Sequence, residues 1–156
     1  MNYQEILNIG NQILNDNNIK SSKLDCELIL SKILNKTREE ILINLDDKIN
    51  DIERDQFNYY VNKRKRKNPM SYILGFKFFW KHKFYINKSA LIPRPESEQI
   101  IEQSLKYIPV DKELNILDIG TGSGCLIVSL LKERPNCYAT AIDLSKEALK
   151  VAKINA

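Results

Sequence analysis

Hydrophobic positions in the first part of the chain recur at helical spacing. Ile6, Leu7, Ile13 and Leu14, then Leu24, Leu28, Ile29, Ile33 and Leu34, fall near the three-and-four interval that lines one face of a helix. "TREEIL" opens another helix, with Thr37 and Glu40 in capping-box register. The hydroxyl accepts from the backbone N–H three residues on, and the carboxylate accepts from the N–H of the cap residue; such a cap is worth about 1 kcal/mol. A further helix runs from about Asp51 through "IERDQFNYYVNKRKRK", with Ile52, Phe57, Tyr60 and Val61 facing inward and Asn68-Pro69 ending it.

The pattern then changes. "YILGFKFFWKHKFYIN", Tyr72 to Asn87, is dense in aromatic and β-branched residues around a polar midpoint near Lys81 and His82, which predicts a β-hairpin. In "ALIPRPESEQIIEQSLKYI" two prolines hold an extended segment around Arg94, and a helix starts near Glu96 with Ile100, Ile101, Leu105 and Ile108 on one face. Beyond Glu113 the order is an apolar run "LNILDI", a glycine turn, a helix "CLIVSLLKER", a second apolar run "CYATAID" and the start of another helix. That order is β-α-β-α, the opening of a doubly wound sheet. The expected class is α/β: a helical region over 1–71, a hairpin linker over 72–90, and the first part of an α/β domain over 91–156.

Composition narrows this picture. The chain has 156 residues, 43% of them hydrophobic and 28% charged, inside the ordinary globular range. It is long enough to bury roughly 70% of the surface its unfolded form exposes. No window approaches the ~18 consecutive apolar residues of a membrane span, and Glu5 sits where a signal peptide needs a basic start, so a cytoplasmic protein with no membrane partner is expected. Cys26, Cys125 and Cys137 form no CxxC pair and there is one histidine, so no metal site is expected and the thiols read as buried and reduced. Net charge is +4, but the chain is also rich in Lys, Asn and Ile, a trio that reads as codon bias, so basicity argues little for nucleic acid. The run Lys63 to Lys67 reads as a solvated helix end that complements the macrodipole. His82 reads as a surface residue and Trp80 as a packing residue.

The chemistry concentrates at "LDIGTGSGCLIVSLL", Leu117 to Leu131. Glycines at 120, 122 and 124 allow a sharp turn after a strand and let a ligand approach backbone amides closely. The dinucleotide fingerprint wants Gly or Ala at position 125, where this chain has Cys125, and no Gly-Lys-Ser/Thr follows, which disfavours NAD or FAD and a phosphate P-loop. Asp143, 19 positions after Gly124, ends the next apolar run. A carboxylate there can accept both ribose hydroxyls of an adenosine; the competing role is a helix cap, for which Ser145 also stands ready. Asp118, before the turn, either holds the loop or meets a ligand's amino group.

"LIPRPESE", "ILDIGTGSG" and "AIDLSKEALKVAKINA", in that order behind a helical region and an aromatic hairpin, resemble the HemK/PrmC family of protein-glutamine methyltransferases. The resemblance runs along the whole chain and is strongest from Leu91 to Ala156. It implies a Rossmann-like fold that uses S-adenosyl-L-methionine to methylate the glutamine of the Gly-Gly-Gln loop in peptide chain release factors, with the helical domain docking the factor. By position, Gly120, Thr121, Gly122, Ser123 and Gly124 match the family's cofactor loop, and Asp143 its ribose-binding acid. Arg94 in "IPRP" matches a stretch near the methionine end; the competing role for Arg94 is a salt bridge to Glu96 or Glu98.

The family's catalytic Asn-Pro-Pro-Tyr follows the fourth strand of its sheet and is absent from these 156 residues, so no catalytic residue is assigned. In the family that motif orients the amide nitrogen, and such positioning can supply on the order of 7–11 kcal/mol. Little or no turnover by the chain alone is therefore expected, whether it is a fragment, a split product or a decayed form. The alternatives are a nucleic-acid adenine methyltransferase, which shares the cofactor fold, and a non-catalytic module that binds a release factor. The identity of the factor and the oligomeric state are not encoded in any motif.

Overall fold

The computed structural model describes residues 1–156, which divide into two compact units, Met1–Leu74 and Gly75–Ala156. The first is helical: α1 (Tyr3–Asn15), α2 (Ser22–Leu34), α3 (Arg38–Ile43), α4 (Asp51–Lys65) and α5 (Met70–Leu74). The expected capping box forms at α3, where Glu40 N–H donates to Thr37 Oγ1 at 3.2 Å and Thr37 N–H to Glu40 Oε2 at 2.6 Å. The same device starts α1 with Asn2 and Glu5, and α4 with Asn50 and Glu53. Both read as Asn-x-x-Glu in the sequence.

The core of this unit joins Ile6, Leu14, Ile29, Leu30, Ile41, Phe57 and Val61. Gly10 lets α1 lie against its neighbours: a Cβ there would stand 2.8 Å from the Phe57 ring and 2.9 Å from Cys26 Sγ. Two inward predictions are corrected. Ile52 is exposed, because it lies in the first turn of α4, ahead of the stripe that carries Phe57 and Val61; Leu24 is exposed in the same way near the start of α2.

The second unit opens with the hairpin, β1 (Phe76–Phe79) and β2 (His82–Tyr85), paired antiparallel with Phe79 opposite His82. Tyr72 to Leu74, read as the start of this hairpin, belongs instead to α5: Asn68-Pro69 ends one helix and nucleates the next, and Gly75 at φ +84° makes the break into the strand. Phe79 and Phe84 fill the interior while Phe78 and Tyr85 face out. A 3₁₀ turn (Pro95–Ser97) leads into α6 (Glu98–Tyr107), whose buried residue is Ile101; Ile100, expected on the same face, is exposed.

Then follow β3 (Asn115–Ile119), α7 (Cys125–Glu133), β4 (Tyr138–Ile142) and α8 (Lys146–Asn155), with β3 and β4 parallel and Leu117 opposite Thr140. Alternation along each strand divides the sheet into two faces. Ile116 and Asp118 turn toward α6 and α7, where with Ile101, Ile127 and Leu130 they line a cavity of about 140 Å³. Ala141 turns toward α7 and α8. The opposite face carries Leu117, Ile119, Tyr138 and Ile142, all exposed, Ile119 by 74%. No helix of the chain is long and apolar enough to cross a membrane.

Candidate functional site

The glycine turn between β3 and α7 is built by backbone conformations that only glycine adopts cheaply. Gly120, Gly122 and Gly124 have φ of +80°, +57° and +78°. Gly124 also permits a close approach, since its missing Cβ would stand 3.2 Å from Ala152 of α8. At Gly120 and Gly122 nothing lies within 4 Å of where a Cβ would be, so the turn opens there onto space a ligand can enter.

The turn is tied to the end of β4. Gly120 N–H and Thr121 N–H both donate to the Ile142 carbonyl, at 2.8 and 3.0 Å, and Gly122 N–H donates to Asp143 Oδ2 at 2.8 Å. The other oxygen of Asp143 accepts from Ser145 N–H at 2.8 Å. These amides, Ser145 first and Gly122 next, hold the Asp143 carboxyl below the usual carboxylate range. The helix cap itself falls to Ser145, whose Oγ accepts from Ala148 N–H at 3.1 Å. Asp143 is therefore a charged strut between the turn and the start of α8, brought to the glycines by the parallel pairing of β3 with β4.

Polar atoms without partners cluster at the same place. Thr121 Oγ1, Ser123 Oγ and Asp118 Oδ2 are buried with no hydrogen bond, and so is Ser129 Oγ one turn into α7. A buried polar group left unsatisfied costs about 1–3 kcal/mol. Orphans so close together suit a small ligand that supplies both donors and acceptors. Cys125 is buried where α7 begins, and burial pushes its thiol up, away from reactivity. No group of His, Cys, Asp and Glu side chains could hold a metal ion.

Of the seven sequence-predicted cofactor residues, Gly120, Thr121, Gly122, Ser123, Gly124 and Asp143 come together. Arg94 is not joined to them by any hydrogen bond or ion pair. It is exposed at the start of the 3₁₀ turn, and neither Glu96 nor Glu98 pairs with it. Glu98 is occupied elsewhere: its Oε1 accepts from the backbone N–H of Trp80, at 2.7 Å.

Two features escape sequence reasoning. Trp80, in the hairpin turn with φ +53°, donates its indole N–H to Glu133 Oε1 at 2.7 Å, and Lys81 Nζ reaches the same oxygen at 2.6 Å. Both bonds hold the Glu133 carboxyl below its ordinary range, Lys81 first. The second is Asn155 near the end of α8, whose carboxamide contacts both the Ser123 carbonyl and Tyr85. No short-range pattern marks either, because the partners lie 53 and 32 residues apart.

Residues 5–75 match the PrmC N-terminal domain, and residues 110–156 match a methyltransferase domain. The chain is 39% identical over 137 residues to the release factor glutamine methyltransferase of Coxiella burnetii, covering 88% of this chain and 50% of that protein. It is 36% identical over 152 residues to the protein of that name from Leptospira interrogans, covering 97% and 53%. To the bifunctional methyltransferase of Rickettsia typhi it is 35% identical over 170 residues, covering 97% and 33%. The chain thus spans about half the length of the release factor glutamine methyltransferases it matches, and a third of the bifunctional protein. The chain is thus similar, in order, to a PrmC N-terminal domain and the opening of a methyltransferase domain, the N-terminal half of the release factor glutamine methyltransferases it matches.

Proposed function

We propose that the glycine turn is the S-adenosyl-L-methionine loop of a release factor glutamine methyltransferase, and that the helical unit docks the release factor. The single observation that carries the cofactor reading is the coincidence of three left-handed glycines with buried hydroxyls lacking partners. Bound there, the cofactor supplies an electrophilic methyl group.

The chain's own residues bind and orient. Gly120 and Gly122 leave room for close approach, Thr121 and Ser123 offer hydroxyls that both donate and accept, and Asp143 retains lone pairs for ribose hydroxyls beside its two backbone bonds. Arg94 completes the proposal at the methionine end, and Asp118 offers a buried carboxylate oxygen to an amino group. The domain assignment that goes with this is docking by the helical region, bounded at 1–71 in the sequence and carried to Leu74 by α5, and cofactor binding by 91–156.

S-adenosylhomocysteine titrated into the chain by calorimetry is expected to bind, and Asp143→Ala to weaken it at least tenfold; an unchanged affinity would remove Asp143 from the site. Transfer is tested on a form as long as the relatives, with labelled S-adenosyl-L-methionine and a purified release factor. Methylation of DNA and not of the factor would replace the substrate assignment.

A further inference from the structure

We propose that Asn155 is a positioning residue for the glycine turn, one carboxamide through which the aromatic hairpin holds the turn in its ligand-ready shape. The proposal rests on the cofactor reading above only for what the turn binds. The clasp itself rests on three hydrogen bonds within one unit.

Asn155 Nδ2 donates to the Ser123 carbonyl at 2.8 Å and to the Tyr85 carbonyl at 3.0 Å, and its Oδ1 accepts from Tyr85 N–H at 2.7 Å. That uses both donors and the acceptor of the side chain. Its orientation is decided by the partners, because the flipped amide would set oxygen against two carbonyls and nitrogen against an N–H. Both backbone groups of Tyr85 point away from β1, on the outer edge of β2. There the carboxamide takes the place of a neighbouring strand's peptide.

The other end of the clasp reaches the turn. Ser123 lies between Gly122 and Gly124, both at positive φ, and its carbonyl direction fixes the plane of the Ser123–Gly124 peptide, whose N–H donates to the Thr121 carbonyl at 2.8 Å. Three residues before Asn155, Ala152 fills the space that Gly124 leaves by having no Cβ. α8 therefore meets the turn twice on one face: Ala152 limits its position by contact, and Asn155 fixes its orientation by hydrogen bonding. The hairpin is itself anchored at its far end, where Trp80 and Lys81 are held by Glu98 of α6 and Glu133 of α7. Displacing β2 would pull the Ser123 carbonyl with it.

Asn155→Asp tests this. The aspartate still accepts from Tyr85 N–H but turns oxygen toward the two carbonyls. Ile154→Ala is the control, since Ile154 is exposed on the same helix end and makes none of the clasp's hydrogen bonds. Two readouts are taken on the chain at a temperature where circular dichroism shows all forms folded. The first is amide hydrogen exchange without ligand, at Tyr85 and at Gly122 and Gly124, whose N–H groups bond Asp143 and Thr121. The second is the Kd for S-adenosylhomocysteine.

Exchange at Gly122 and Gly124 at least tenfold faster in Asn155→Asp, with a Kd at least tenfold weaker and both unchanged in Ile154→Ala, is the expected result. Unchanged exchange at both glycines overturns the proposal, as does equal acceleration by Ile154→Ala, which would mark general fraying of α8. Should wild type bind no S-adenosylhomocysteine at millimolar concentration, the cofactor reading fails by itself; faster glycine exchange confined to Asn155→Asp still supports the clasp.

Discussion

The two units treat buried polarity in opposite ways. In the helical unit the buried carboxylates are paired: Arg64 Nε donates to Asp25 Oδ2 at 2.6 Å, Ser21 Oγ adds a bond at 2.8 Å, and Arg38 pairs with Glu27. In the second unit every buried side-chain atom without a partner falls between Asp118 and Ser129, in and around the glycine turn. A fully satisfied interior serves packing and a defined surface. Unmet hydrogen-bonding capacity, gathered where the backbone is forced into positive φ, is what the proposed cofactor site would need.

The largest test of this contrast is Arg64→Met. It leaves Asp25 charged and buried, and the expected loss in unfolding free energy is about 3–5 kcal/mol, read by urea denaturation. A loss under 1 kcal/mol would mean that the pair is not the closed arrangement described. Gly10→Ala comes next. Its methyl would press on Phe57 and Cys26, for an expected destabilisation of about 1–3 kcal/mol with no change in S-adenosylhomocysteine affinity.

Thr121→Val reverses the logic in the second unit. Removing an orphaned hydroxyl is expected to leave stability unchanged or raise it by about 1 kcal/mol, while ligand affinity falls by about tenfold, or 1.4 kcal/mol. A variant that lost stability and kept affinity would make the hydroxyl a packing group after all.

The smallest effect is the acid response of the hairpin anchor. Glu133 has its pKa depressed by Lys81 and the Trp80 indole, so its contribution is full above the unfolded value of about 4.3. It is lost as pH falls through the lower folded value. Trp80 is the chain's sole tryptophan, and its fluorescence is expected to change in that window and to lose the transition in Glu133→Gln.

Much of this was legible in the sequence because it depends on neighbours along the chain. The Thr37 capping box, the hairpin turn near Lys81 and the β-α-β-α order all rest on spacings of a few residues. That the glycine turn and Asp143 meet was legible because a glycine turn after a strand and an acid after the next have a known separation. Ile52 and Ile100 misled because apolar periodicity says which residues share a face, not where a helix leaves the core. Tyr72 to Leu74 misled because aromatic and β-branched content outweighed the helix-starting effect of Pro69.

The sequence alone determined the element types and the turn's need for glycine, since these follow from local sterics, periodicity and motif spacing. Only the tertiary structure decided that Asp143 braces the turn through Gly122, that Trp80 is held by two carboxylates and that Asn155 joins the hairpin to Ser123. Each of these bonds closes a long loop of chain. Nothing local favours such a bond until parallel strand pairing and helix packing bring its ends within about 3 Å, the length of a hydrogen bond.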